Sequence, residues 1–291
     1  KLVYVNSVPW VRIPPCPLGR RASPTRYAGD VCMTARILLG PALWAMLSGA
    51  CAPGPVTPAD RPLVPHVVTQ PTRHDPDDPA IWIHPTDRAK SLVIGTDKDS
   101  DGALYAFDLN GAVVARVGAL RRPNNVDIAY GFVLGGKPTD IAVTTEREAQ
   151  RLRVFSLPDM KPLDRGDLVV FDGDANRAPM GIALYKRPRD GAMFAFVGGK
   201  SGPATGYLGQ YRLADDGTGR VKMVLVRQFG TYSGKKEIES IAVDAELGYV
   251  YYSDETVGVR KYAADPDAPG ADNELALFAT TGFAGDHEGI A

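Results

Sequence analysis

Hydrophobic residues fall in short runs of four to eight, separated by polar breaks rich in Gly, Asp, Asn and Pro. That rhythm predicts strands joined by tight turns. Five places share one strand opening: PAIW at 79–82, VDIA at 126–129, MGIA at 180–183, ESIA at 239–242 and EGIA at 288–291. Their isoleucines, Ile81, Ile128, Ile182, Ile241 and Ile290, are 47, 54, 59 and 49 residues apart. A second strand follows each of the first four openings: SLVIGTD, TDIAVTTE, AMFAFVGG and GYVYYSD. A third follows (ALYAFDL, RLRVFSL, YLGQYRL, GVRKYAA), and a fourth closes the unit (VVARVGA, DLVVFDG, VKMVLVRQF, ELALFAT). Asp101-Gly102, Asn110-Gly111, Asp190-Gly191 and Asp216-Gly217 supply turns. Four short strands per unit of roughly 40–60 residues predict an all-β fold, a β-propeller of four-stranded blades. Four units are complete and a fifth has only its opening, so the propeller domain, 72–291, is expected to be incomplete at its C-terminus. A stack of β-sandwiches is the second choice, because the four-strand order is regular and long helical stretches are lacking.

Composition narrows the class. Of 291 residues, 44% are hydrophobic and 23% charged, which excludes a disordered chain, a collagen and a polytopic membrane protein. The 31 Gly and 24 Pro favour turns over long helices. The net charge of −1 is unevenly spread: residues 1–51 hold six basic residues and one acid, whereas 52–291 hold 27 basic and 33 acidic. An acidic body is a poor nucleic-acid partner and a suitable host for a hard cation with oxygen ligands.

The amino-terminal part reads as an address. All three cysteines, Cys16, Cys32 and Cys51, precede residue 52, so the body has no disulfide framework, zinc spacing or cysteine nucleophile. From Met33, a basic start at Arg36 and an apolar stretch over Ile37–Leu47 lead to small residues. Residues 33–51 are therefore expected to be a bacterial export signal. Ser48-Gly49-Ala50-Cys51 resembles a lipobox, with Cys51 as the lipid anchor; Ala50-Cys51-Ala52 also fits cleavage for free secretion. An extracytoplasmic protein is expected in either case. Residues 1–32 lack periodicity and are expected to be a non-native upstream segment; 52–71 are Pro-rich and read as a tether.

In a blade, the start of strand 1 and the end of strand 2 share a rim. Asp77, Asp78, Asp127, Met180, Glu239, Asp286 and Glu288 stand at strand-1 starts. Lys98, Arg147, Lys200, and Asp254 with Glu255 follow strand 2. The three cations lie 17, 19 and 18 residues after their unit's isoleucine. Taken singly, each has an ordinary reading: a turn Asp, a buried structural acid, a solvated Lys. Together, at matching positions, they predict a cationic arc facing carboxylates at the mouth of a central channel. Clustered carboxylates call for a cation, and oxygen donors without His or Cys suit Ca2+. Lys and Arg beside it suit phosphate. The stretch 97–108, DKDSDGALYAFD, has an EF-hand-like opening, but flanking strands favour a hairpin turn at Asp101-Gly102. No Ser-His-Asp order, nucleophile elbow, P-loop or dinucleotide fingerprint is present.

DDPAIWIHP at 77–85, GTDK at 95–98, NNVDIAYGF at 124–132, ESIAVDAELGYVYYSDE at 239–255 and DHEGIA at 286–291 resemble the β-propeller phytases, the alkaline calcium-dependent phytases of bacteria. The resemblance covers about 215 residues. It implies a six-bladed propeller, Ca2+ as cofactor, and phytate (myo-inositol hexakisphosphate) as substrate.

 Position by position, Asp77 and Asp78 match calcium-binding aspartates, Glu239 and Glu255 match acidic ligands at the channel mouth, and Asp286 and Glu288 match those of the DxEG strand. Lys98, Arg147 and Lys200 match residues that grip substrate phosphates. Asp78, Glu239 and Glu288 are the catalytic candidates, holding a metal-activated water that attacks phosphorus in line. Met180 departs from the family, standing where a phosphate-contacting tyrosine is common. A monomer that takes phytate as its calcium complex is expected. The alternatives are a calcium-dependent propeller lactonase or ester hydrolase, which needs no cationic arc, and a non-catalytic surface propeller in which calcium is structural.

Overall fold

A computed structural model describes residues 10–11, 64–283 and 289–290. Its strands form four antiparallel four-stranded sheets, each built from consecutive strands in chain order. Blade 1 contains β2 (Pro76–Trp82), β3 (Leu92–Asp97), β4 (Gly102–Phe107) and β5 (Val113–Leu120). Blade 2 contains β6 (Pro123–Leu134), β7 (Lys137–Glu146), β8 (Arg151–Leu157) and the short β9 (Leu168–Val169). Blade 3 contains β10 (Pro179–Lys186), β11 (Met193–Gly199), β12 (Thr205–Asp215) and β13 (Val221–Thr231). Blade 4 contains β14 (Ile241–Asp244), β15 (Tyr249–Asp254), β16 (Gly258–Ala263) and β17 (Ala276–Phe278). In addition, β1 (Trp10–Val11) pairs in parallel with β18 (Gly289–Ile290).

First strands of successive blades adjoin: β2 beside β6, β6 beside β10, β10 beside β14, and β14 beside β18. Sheets radiating from a shared set of inner strands make a β-propeller. The alternation of side chains explains why its middle strands read as continuous apolar runs. Along β11, Met193, Ala195 and Val197 join a core shared with blade 2, while Phe194 and Phe196 join one shared with blade 4. Along β7, Ile141 and Val143 face blade 3 and Ala142 faces blade 1. A strand buried on both faces has no polar face to alternate with. Blade interfaces, rather than one central core, therefore hold the apolar side chains.

Inner strands have one edge without a ladder partner, and side chains of the neighbouring blade meet it. Asp78 accepts from the Val126 backbone N–H at 2.9 Å, and Asp127 from that of Leu184 at 2.6 Å. Thr96 and Thr145 donate to the carbonyls of Asn124 and Met180 in the next blade, at 2.9 and 2.8 Å.

The expected segments 1–32, 33–51 and most of 52–71 lie outside the described residues, apart from Trp10–Val11. The end of the Pro-rich stretch runs along blade 1, where Gln70 donates to the Gly111 carbonyl at 2.7 Å. Its side chain accepts from the Val113 N–H at 2.7 Å. The 97–108 stretch is a hairpin between β3 and β4.

Candidate active site

One sequence device shapes the rim of three blades. The first strand opens on Pro76, Pro123 or Pro179, and its pairing with the second strand slips before Pro79, Val126 or Ile182. Proline donates no backbone hydrogen bond, and a bulge turns the next side chains out of the ladder. The slipped residues are Asp77-Asp78, Asn124-Asn125 and Met180-Gly181. At the other side of the rim, the last residue of strand 2 is a fully buried acid in blades 1, 2 and 4: Asp97, Glu146 and Asp254. Each fastens the chain that enters its blade. Asp97 accepts from the N–H groups of His74 and Asp75 at 3.0 and 2.7 Å. Glu146 accepts from Arg121 N–H at 2.7 Å, and Asp254 from Ser233 N–H at 3.1 Å. The following residue is Lys98, Arg147 or Lys200 at the rim of blades 1 to 3, and the buried Glu255 in blade 4. In blades 1 to 3 its N–H donates to a matching carbonyl, of Asp75, Arg122 or Ala178. The phase of the cations was legible in the sequence; the proline bulges and the buried acids Asp97 and Glu146 were missed, although each acid stands immediately before its cation.

The inner strands enclose a cavity of about 470 Å³, lined among others by Asp77, Asp78, Asn125, Asp127 and Glu239. Lys98 Nζ lies 2.6 Å from Asp77 Oδ1. Asn124 donates to Glu239 Oε1 at 3.2 Å and stands 3.5 Å from Arg147 Nη1. Lys200 Nζ lies 3.5 Å from Glu237 Oε1, two residues before Glu239. The three expected cations thus stand beside carboxylates of one mouth. Glu255 is buried just past β15, 3.6 Å from Lys236, and, like Lys98, Arg147 and Lys200, is not among the residues lining the cavity. Asp286 and Glu288 lie outside the described residues. Met180 is buried, its side chain contributing no polar group to the mouth.

Glycines bring Glu239 close. A Cβ on Gly181 would meet the Glu239 carbonyl oxygen at 2.1 Å, and one on Gly198 would meet that of Ile238 at 2.6 Å. Only residues without a side chain let blade 3 and the 238–239 segment approach this far.

Burial dominates the electrostatics. It pushes the Asp78 carboxyl up to about 8, with Asp77 and Asp127 adding repulsion. It pushes Asp127 up to about 6. Glu239 is also raised, by burial and then by Asp77. The Arg147 guanidinium is held below its usual range by burial and by neighbouring Arg122, against the pull of Glu239, Glu237 and Asp77. Partly desolvated carboxylates that repel one another match the environment of a hard cation, and their oxygen donors suit calcium rather than a thiophilic metal. Among the described residues no three Asp, Glu, His or Cys side chains suffice to hold a metal by themselves.

A 3-phytase of Bacillus subtilis (strain 168) is 32% identical over 220 residues, covering 72% of this chain and 52% of the relative. The chain therefore spans about half the length of the relative it matches. The Phytase family profile matches residues 38–291, and the chain belongs to that family.

Proposed function

We propose that the chain hydrolyses phosphomonoesters of phytate at the channel mouth, with Ca2+ as its cofactor. The observation that carries this reading is the placement of Lys98, Arg147 and Lys200 beside Asp77, Glu239 and Glu237 on one rim. Phytate presents many phosphates around a ring, and cations from three blades can engage several at once. Lys98 and Lys200 act as point charges, while Arg147 offers a planar fork to two phosphate oxygens.

Asp77, Asp78 and Glu239 would hold calcium, together with Asp286 and Glu288; Glu255 matches a further acidic ligand of the family. Bound calcium supplies charge neutralisation and lowers the pKa of a coordinated water. Asp78 and Glu239 position the water side of the reaction, and the cationic arc stabilises charge developing on the phosphoryl oxygens. Extracytoplasmic export, with Cys51 as lipid anchor, belongs to the same reading.

The test is release of orthophosphate from phytate with calcium and with excess chelator. Release only with calcium is expected; chelator-insensitive release would defeat the metal assignment. The double variant Lys98→Ala with Lys200→Ala is expected to raise KM by at least about tenfold. Wild-type KM and kcat in that variant would remove those side chains from the substrate site.

A further inference from the structure

Blade 2 differs from its neighbours at the rim. Lys98 and Lys200 each have a carboxylate within ion-pair distance, at 2.6 and 3.5 Å. Among the described residues, Arg147 and Arg122 have none. Arg122 is adjacent: its carbonyl accepts from the Arg147 N–H at 3.0 Å, and the two guanidiniums repel. The Arg122 Nε is buried without a hydrogen-bond partner. Its backbone is left-handed, with φ +56°, immediately before Pro123. That conformation is uncommon for a residue with a side chain, and a residue before proline favours extended backbone. Arg121, one position earlier, shows the ordinary alternative: it is exposed and stands 3.6 Å from Glu148.

A buried unpartnered donor, two like charges that repel and a strained backbone are each unfavourable in the free protein. A single anion between the guanidiniums would relieve the first two. We propose that Arg122 joins Arg147 to form a phosphate subsite, a pair of guanidinium forks that takes one phosphate dianion at the blade 2 rim. This rests on reading the mouth as a phosphate-ester site. It adds a residue to that site and gives blade 2 a doubly charged position between the two compensated lysines.

Orthophosphate is the probe, titrated calorimetrically into the calcium-loaded full chain, alongside phytate kinetics and thermal melting. Arg122→Gly suits the left-handed backbone and removes the side chain. It is expected to keep the melting temperature and to weaken orthophosphate binding by about tenfold or more. Arg122→Lys should recover part of the loss, since it restores charge without the fork. Arg121→Ala should bind as wild type does. If Arg122→Gly binds orthophosphate as tightly as wild type, or wild type binds none at millimolar concentration, the subsite is overturned. Arg122-dependent orthophosphate binding by a chain that leaves phytate intact would uphold the subsite and overturn the phytase reading. Phytate hydrolysis with KM and phosphate binding unchanged in Arg122→Gly would do the reverse.

Discussion

The two rims of the propeller carry charge in opposite ways. At the mouth, Asp78, Asp127 and Glu239 are half-buried, and desolvation raises all three carboxyls. At the far rim, Arg187 bridges blades 3 and 4. It holds Asp190 through two hydrogen bonds of 2.9 and 2.6 Å, and Asp265 and Asp267 at 2.8 and 2.7 Å. There Arg187 pulls Asp190 well below the usual carboxylate range. Burial pushes Asp265 upward, but hydrogen bonds from Arg187 and the Asp267 N–H outweigh it. The far rim is neutralised by its own side chains; at the mouth Lys98 and Lys200 pair with Asp77 and Glu237, but Asp78, Asp127 and Glu239 have no ion-pair partner among the described residues. Perturbation of this second kind marks sites of chemistry, whereas the first kind fastens structure.

The sharpest break of that comparison is Asp78→Asn. It keeps the acceptor for Val126 N–H and puts a neutral amide in place of a carboxyl whose charged form the site disfavours. Phosphate release should fall by at least about 100-fold, and the calcium-free melting temperature should hold or rise. A fall of several degrees with activity retained would make Asp78 a structural acid like those of the far rim. Next is Gly181→Ala, whose Cβ would lie 2.1 Å from the Glu239 carbonyl. Overpacking there should cost about 2 kcal/mol and lower kcat together with stability; unchanged kcat would show that the placement of Glu239 is not critical.

Arg187→Ala should do the opposite of Asp78→Asn: lose about 2 kcal/mol of stability, read by denaturant unfolding, with KM and kcat kept. Its pH dependence follows from the lowered carboxyls. Asp190 and Asp265 titrate lower folded than unfolded, so their contribution is present above about pH 4, the unfolded value. It is lost as pH falls through the lower folded values. Wild type should therefore lose stability on acidification below about pH 4 more steeply than Arg187→Ala. Parallel acid profiles would deny Arg187 that role.

Blade number and rim phase were legible because each blade repeats one strand-opening pattern, and because Lys98, Arg147 and Lys200 follow its isoleucine by 17, 19 and 18 residues. Long-range partners were not. Nothing local to Glu237 points to Lys200, nor Arg187 to Asp265 and Asp267, since those contacts cross blades. Arg122 escaped because its character lies in a backbone angle and a missing partner. Blade 2 ends in β9, only two residues long, where DLVVFDG suggests a full strand. The chain leaves the ladder as Phe171, Asp172 and Gly173 take positive φ. Phe171 instead packs into the core shared with blade 3.

The smallest effect belongs to the hairpin that mimics a calcium loop. Asp101 pairs with Arg73 at 2.9 Å, and both side chains are more than 60% exposed. Solvent screens such a pair, so Asp101→Ala should change stability by about 0.5 kcal/mol or less. Asp97, which would open the loop, spends one oxygen on the N–H groups of His74 and Asp75. It is fully buried, fastening the chain that enters blade 1. The calcium-binding isotherm of Asp101→Ala should therefore overlay that of wild type. Loss of one bound calcium in that variant would move a metal from the mouth to the hairpin, and with it part of the contrast between the two rims.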